Sequence, residues 1–334
     1  MAFVVDGSEW IFNGWSADDI DSALGLLLER CDVARQRQEQ VWIGDDLQTR
    51  SVLGCLSVWD LWSPECPITL PRELKDELAA MLGRTPLYLD QELWPEGMAE
   101  CTIVSIFDSE PFDNPDVAWA HHKVRSGHAV ACFGLQRSGL YRTATQYGAA
   151  DVHWVIDEAG HRGFFRAAID VEQDSEATLQ QMAPHAFPDI IFLDGVWRGL
   201  DDFAGGYLAV RQQLRRHLTV FDDHGYWAFT EPPPKISEND DGPSGTGRPG
   251  NLLIQQRFQA HGVDVAPESS EVRAKQKYRI TRERVLKGRT LFCEWHAKLQ
   301  PHINRIHVHA PVPESGNRFI VAIFHAHLPL PGDN

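Results

Sequence analysis

Leu291–Leu299 reads LFCEWHAKL, Arg305–His309 reads RIHVH and Asn317–Leu328 reads NRFIVAIFHAHL. Side chains of a strand alternate between its two faces, so Glu294, His296 and Lys298 share one face of the first segment. The same parity puts Arg305, His307 and His309 on one face of the second segment, with Ile306 and Val308 on the other. The third segment is apolar on both faces until it ends in His325 and His327. Three neighbouring strands would therefore gather carboxylate, imidazole and cation in one place. Because the third contributes only at its end, the pattern expects a site at one edge of the sheet. Six of the 15 histidines fall in residues 271–334, a concentration that a merely solvated sheet face does not explain.

Charge separates the same region from the rest. Residues 271–334 hold 11 Lys and Arg against 5 Asp and Glu, whereas residues 1–270 hold 20 against 42. An acidic body does not condense on nucleic acid, but a basic end supplies a local phosphate-binding surface or docks on the acidic body. The six cysteines show no C-x-x-C spacing, as expected of a reduced, cytoplasmic chain. The opening MAFVVDGSEW lacks the basic start of a secretion signal. No apolar run approaches the roughly 20 residues of a membrane-spanning helix, so no membrane partner is expected.

Upstream, Ser16 caps a helix to about Arg37 whose inner stripe is Ile20, Leu24, Leu27, Leu28 and Cys31. Strands are expected near 41–43 and 52–58. A helix opens at Pro71, carries Leu74, Leu78, Met81 and Leu82, and stops at Gly83. Trp10, Trp15, Trp42, Trp59, Trp62 and Trp94 read as an aromatic core rather than a base-stacking surface. Strands at 102–107, 128–135 and 152–156 alternate with helices after Asn114-Pro115 and from Glu158. Further helices are expected at 196–203 and 206–218. His121, His122 and His128 have no carboxylate or thiol at ligand spacing and read as packing or surface histidines. The run EPPPKISENDDGPSGTGRPG (231–250) has the composition of a linker, and residues 251–261 form a helix ended by Gly262. The expected architecture is a multidomain α+β chain: an α/β unit (1–99), a central α+β unit (100–231), a linker (232–250) and a basic β module (251–334).

Several chemistries compete for the C-terminal face. Cleavage of RNA at its own 2′-hydroxyl needs a base, an acid and cations for the phosphorane. Glu294, His296, His307, His309, His325 and His327 are candidates for proton transfer. Lys298 and Arg305 would hold phosphate, and Arg273–Arg289 would track the backbone. A helix, a basic strand and a three-strand antiparallel end carrying Lys, Arg and His resembles the small RelE-type ribonuclease toxins over about residues 251–330. That resemblance implies metal-independent RNA cleavage, with Lys298, Arg305 and His325 or His327 inheriting the phosphate-binding and proton-transfer duties. A toxin or defence effector would divide its labour this way. The body is far longer than such a toxin, and no tyrosine lies near the last histidines.

His307-x-His309 followed by Glu314 resembles one half of a cupin-type metal site, without its upstream glycine or its second half. Glu294, His296, His307 and His309 would offer Zn, Fe or Mn a ligand set across two strands. A PD-(D/E)xK nuclease is disfavoured because His296 stands where its lysine belongs. No phosphate-loop or G-x-S-x-G pattern occurs. The sequence thus expects an RNA-cleaving module without cofactor, against a non-enzymatic module that binds nucleic acid or protein, and against a His/Glu metal enzyme. The acidic body would receive a protein partner.

Overall fold

A computed structural model of the chain describes residues 2–91, 94, 98, 101–107, 109–230 and 247–331. It divides into two compact units, Met1–Gln173 and Asp174–Asn334. Helices and sheets are mixed in each, which makes the chain an α+β protein of two domains. No helix among the described residues is long and apolar enough to cross a membrane.

Unit 1 contains strands β1 (Ala2–Val5), β2 (Gln40–Trp42), β3 (Ser51–Leu53), β4 (Leu56–Ser57), β5 (Ile103–Ile106), β6 (Phe112–Asp113), β7 (Val130–Phe133), β8 (Gly139–Thr145) and β9 (Gly148–Val155). Its helices are α1 (Ala17–Gln36), α2 (Arg72–Arg84), α3 (Tyr88–Gln91), α4 (Pro115–Arg125) and α5 (Glu158–Val171). Among the described residues its main sheet has seven strands in the order β2-β1-β7-β9-β8-β5-β6. The first four run parallel, and β8, β5 and β6 continue antiparallel. AFVV of β1 is buried at every position, as expected of an interior parallel strand covered on both faces.

Local chemistry sets the helix ends. Ser16 accepts the Asp19 amide while the Asp19 carboxylate accepts from Ser16, a reciprocal capping box at α1. Asn114 accepts the Val117 amide and Pro115 opens α4. Gly83 does not stop α2, which runs through it to Arg84 and closes on Thr85. Its stripe of Leu74, Leu78, Met81 and Leu82 stays buried through the last turn and overrides the modest helix cost of one glycine.

Unit 2 contains α6 (Glu176–Ala186), β10 (Ile190–Phe192), α7 (Gly206–Ala228), α8 (Asn251–Ala260), β11 (Val265–Pro267), α9 (Ser270–Ala274) and α10 (Gln276–Arg279). Strands β12 (Glu283–Leu286), β13 (Arg289–Phe292), β14 (Trp295–Lys298), β15 (Arg305–His309) and β16 (Phe319–His325) follow. Among the described residues the sheet order is β10-β16-β15-β14-β11, antiparallel except for the parallel β10–β16 pair, with β12–β13 as a separate hairpin. Phe221 of α7, Phe258 of α8, Phe229 and Phe319 pack together, and Trp295 meets Phe229 edge-on.

The expected boundaries at 99/100 and 231/232 do not coincide with these units. β1 and β2 share a sheet with β5–β9, and β10 shares one with the C-terminal strands. Long-range strand pairing, invisible to composition, decides membership. Of the linker expected at 232–250, residues 232–246 lie outside the described residues. The segment 291–299 is two strands rather than one, broken at Cys293–Glu294, because its first half pairs with β12 and its second with β15.

Candidate functional site

The C-terminal polar face forms with the parity read from the sequence. Cross-strand partners are His296 with His307 and Lys298 with Arg305 between β14 and β15, then Arg305 with His325 between β15 and β16. A register shift between His307 and Val308 leaves His309 opposite Ile320. The order of strands corrects the expected location: β15 is the middle strand, so His307 lies at the centre of the sheet rather than at an edge.

At that centre is a group the sequence did not reveal. Glu268, just beyond β11, places Oε1 2.8 Å from Arg282 Nε, 3.3 Å from His307 Nδ1 and 3.4 Å from His296 Nδ1. None of the three contacts is aligned as a hydrogen bond; the Arg282 guanidinium supplies the ionic attraction, and the two imidazoles turn a ring nitrogen toward the carboxylate. All four residues are buried, with His307 and Arg282 at 0 % exposure. Burial opposes ionisation of Glu268, but His296, His307 and Arg282 together outweigh it and hold its carboxyl far below the usual range. Burial pushes His307 down to about 4, against the pull of Glu268, so its imidazole is neutral at pH 7. Among the described residues neither ring nitrogen of His307 has an aligned hydrogen-bond partner.

The remaining predicted residues divide between two ends of the face. At one end, Lys298 Nζ donates to Asp264 Oδ2 at 2.9 Å, and Arg305 Nε is buried without an acceptor among the described residues. Desolvation lowers the Arg305 pKa, with partial compensation from Glu268. His325 Nδ1 accepts the His327 amide at 3.0 Å, which leaves the ring proton on Nε2. At the other end, His309 Nδ1–H donates to Ala310 O at 2.7 Å, so Nε2 keeps its lone pair. Burial lowers the His309 pKa, and Arg248 and Arg289 add to the effect. Glu294 is clamped by Arg248 and by Arg273, the latter at 3.2 Å. Arg305 and His309 are four residues apart along β15, about 13 Å. One phosphodiester cannot touch both.

The basic segment expected to track a nucleic-acid backbone is largely neutralised within unit 2. Arg273 pairs with Glu294, Lys275 with Glu271, Arg279 with Glu283, Arg282 with Glu268 and Arg289 with Glu314. Of the expected metal ligands, His296 and His307 come together. Glu294 is held by arginines and His309 by its own backbone. The carboxylate that does face the two imidazoles, Glu268, has a guanidinium where a metal would stand. Among the described residues no group of three or more His, Cys, Asp or Glu is arranged to hold a metal ion.

Unit 1 carries a second polar cluster that the sequence reading missed. The chain leaves β1 for β2 on one side and returns to set β7 on the other. The crevice between the carboxyl ends of β1 and β7 is thus a topological switch point, where open α/β sheets place functional groups. Asp6 Oδ1 there accepts from Ser8 and Asn114, and Oδ2 from Trp154 Nε1 at 2.9 Å. Glu9 accepts the amides of Leu135, Gln136 and Arg137 and ion-pairs with the Arg137 guanidinium at 2.9 Å. Asp116 Oδ2 accepts the Gly7 amide at 2.9 Å, while Oδ1 is buried with no aligned hydrogen bond among the described residues. Oδ1 lies so close to Gly44 that a Cβ there would stand 2.2 Å away, with Asp46 Oδ1 at 3.2 Å from the same point. A side chain at 44 would have to displace the buried Asp116 carboxyl. Burial, then the charges of Asp6 and Asp46, push Asp116 up to about 7. His121 and His122 are packing residues, both fully buried, bonded to Thr143 and to the Cys101 carbonyl.

Comparison with protein-family models, with curated proteins and with solved structures returned no match for this chain.

Proposed function

We propose that unit 2 cleaves RNA without a metal, using the His309 end of the sheet face. The observation that supports this reading is the fixed tautomer of His309. Its Nδ1–H is committed to Ala310 O and its lowered pKa keeps Nε2 unprotonated near neutrality. That nitrogen would take the proton of a 2′-hydroxyl as the oxygen attacks phosphorus. The products are a 2′,3′-cyclic phosphate and a 5′-oxygen that takes a proton from solvent. Arg248, Arg273 and Arg289 surround this end, and would exchange Glu294 and Glu314 for the phosphate oxygens. Lys298, Arg305 and the Nε2–H of His325 form a second cationic row that would hold a neighbouring phosphate. Glu268, His296, His307 and Arg282 are too buried to touch substrate and position the strands. The RelE-type likeness belongs to this proposal, as does an effector role. Helix α8 followed by antiparallel β14, β15 and β16 supports it at the level of pattern.

The burial of His296 and His307 favours a second reading, a non-enzymatic module that binds RNA through the same cationic rows. Purified chain with EDTA and a labelled RNA oligonucleotide separates the two. Cleavage to a cyclic phosphate, slowed about 10²–10⁴-fold in His309→Ala with RNA binding retained, supports catalysis. Binding without any wild-type cleavage refutes it.

A further inference from the structure

Glu294 moves no proton in the reaction proposed above, yet its carboxylate is held the way a ligand is held. Oε1 receives the Arg248 guanidinium and Oε2 receives Arg273 Nη1 at 3.2 Å, so each oxygen has its own arginine. Beside them Arg289 Nη1 donates to Glu314 Oε2 at 2.8 Å. Guanidinium forks take carboxylate and phosphate in the same geometry. The chain therefore supplies from β14's own first turn an anion in the place where a phosphate group would stand.

The arginines keep their positions without that carboxylate. Arg273 Nε donates to the Glu268 carbonyl at 3.2 Å, and the Arg248 guanidinium lies 6.0 Å from the Phe229 ring centroid. The backbone of Glu294 is also fixed, because its carbonyl accepts the Glu268 amide at 2.7 Å. Only the Glu294 side chain has to swing away for the fork to change its occupant. The fork opens to solvent: the Arg248, Arg273 and Arg289 side chains are 48, 38 and 49 % exposed, against 17 % for Glu294. Ion pairs as exposed as these are weak, so an external anion can compete with the internal one.

We propose that Glu294 is an autoinhibitory carboxylate, which fills the fork of Arg248 and Arg273 until a phosphate group displaces it. The proposal rests on the RNA reading for the natural ligand, but the competition itself is measured without any cleavage. Isothermal titration of the full chain with inorganic phosphate in EDTA provides the test. Glu294→Gln, nearly the same shape without the charge, should bind phosphate about 5–10-fold tighter than wild type. Arg273→Met added to Glu294→Gln should abolish that gain. Glu271→Gln, which removes the same charge from the exposed pair with Lys275, should leave phosphate affinity unchanged. With RNA as substrate, Glu294→Gln should lower KM by the same factor and leave kcat as it was, since the internal competitor is gone. Phosphate binding that is no tighter in Glu294→Gln, absent from both proteins, or equally tightened by Glu271→Gln would overturn the proposal. If Glu294→Gln does not fold, Glu294→Asp, one methylene shorter, should still tighten phosphate by ~2-fold or more, and no change there would overturn it as well. Tighter phosphate binding with no RNA cleavage by any form supports the internal competitor and removes the cleavage reading. Cleavage with phosphate affinity unchanged in Glu294→Gln does the reverse.

Discussion

Asp116→Asn should make unit 1 markedly more stable at pH 8 and change it by no more than ~1 kcal/mol at pH 4.5. The carboxyl of Asp116 is fully buried against Gly7 and Gly44, and its pKa rises from the usual 3.8 to about 7. Between about pH 4 and pH 7 the folded chain therefore keeps a proton that the unfolded chain has released. Stability then falls as pH rises through that window and is level above it. A gap of about three pH units at 1.36 kcal/mol each sets a ceiling of ~4 kcal/mol. Neighbouring Arg50, which lowers the pKa, is already included in that balance. Asparagine has nearly the same shape, keeps an oxygen for the Gly7 amide, and carries no charge at any pH. Hydrogen exchange of the β1 and β7 amides, compared between variant and wild type at the same pH, reads the difference locally. Protection should be greater in the variant at pH 8 by up to ~10³-fold and equal within a few-fold at pH 4.5. A variant that is less protected at pH 8 would refute the reasoning, because it would mean that the ionised carboxylate is what unit 1 uses.

Removing Arg282 strands the buried Glu268 charge, so Arg282→Met should cost ~3–5 kcal/mol in urea unfolding. The double variant Glu268→Gln/Arg282→Met should cost well under half of that, and equal losses would show that packing rather than charge holds the pair. Gly199 lies under the backbone of β16, where a Cβ would stand 2.1 Å from the Phe324 carbonyl oxygen. Gly199→Ala should therefore destabilise unit 2 by ~3 kcal/mol or more, and an unchanged midpoint would contradict the close approach. Gly83→Ala, with open space around the added methyl, should instead raise stability by ~0.5–1 kcal/mol.

Local chemistry was legible in the sequence where it was self-contained. RIHVH is a strand with one polar and one apolar register because its period of two needs no distant information. The Ser16/Asp19 box and the Asn114-Pro115 start are equally local. What stayed hidden depends on residues far apart in the chain. β1 is apolar at all four positions and shows no alternation, so its role as a parallel strand beside β7 could not be read. Glu268 follows a three-residue strand that contains a proline, and only its pairing with β14 brings it to His296. Arg282 sits in a basic run that reads as a track for a nucleic-acid backbone, yet it is fully buried because its partner comes from a different segment. The switch-point cluster draws on residues near 6, 46, 116 and 137, which no spacing rule connects.

The parallel pairing of β10 with β16 has a consequence for biosynthesis. Ile190 finds its ladder partner in Phe319, so the sheet of unit 2 lacks a neighbour for β10 until that late segment has been made. Unit 1 has no such wait, since its contacts close by Gln173, and domains generally fold as units in order of synthesis. On a translating ribosome the chain would thus carry a finished first unit and an open second one, with β10 exposed as an unpaired edge. Chaperone dependence, if the chain has any, should concentrate in that interval.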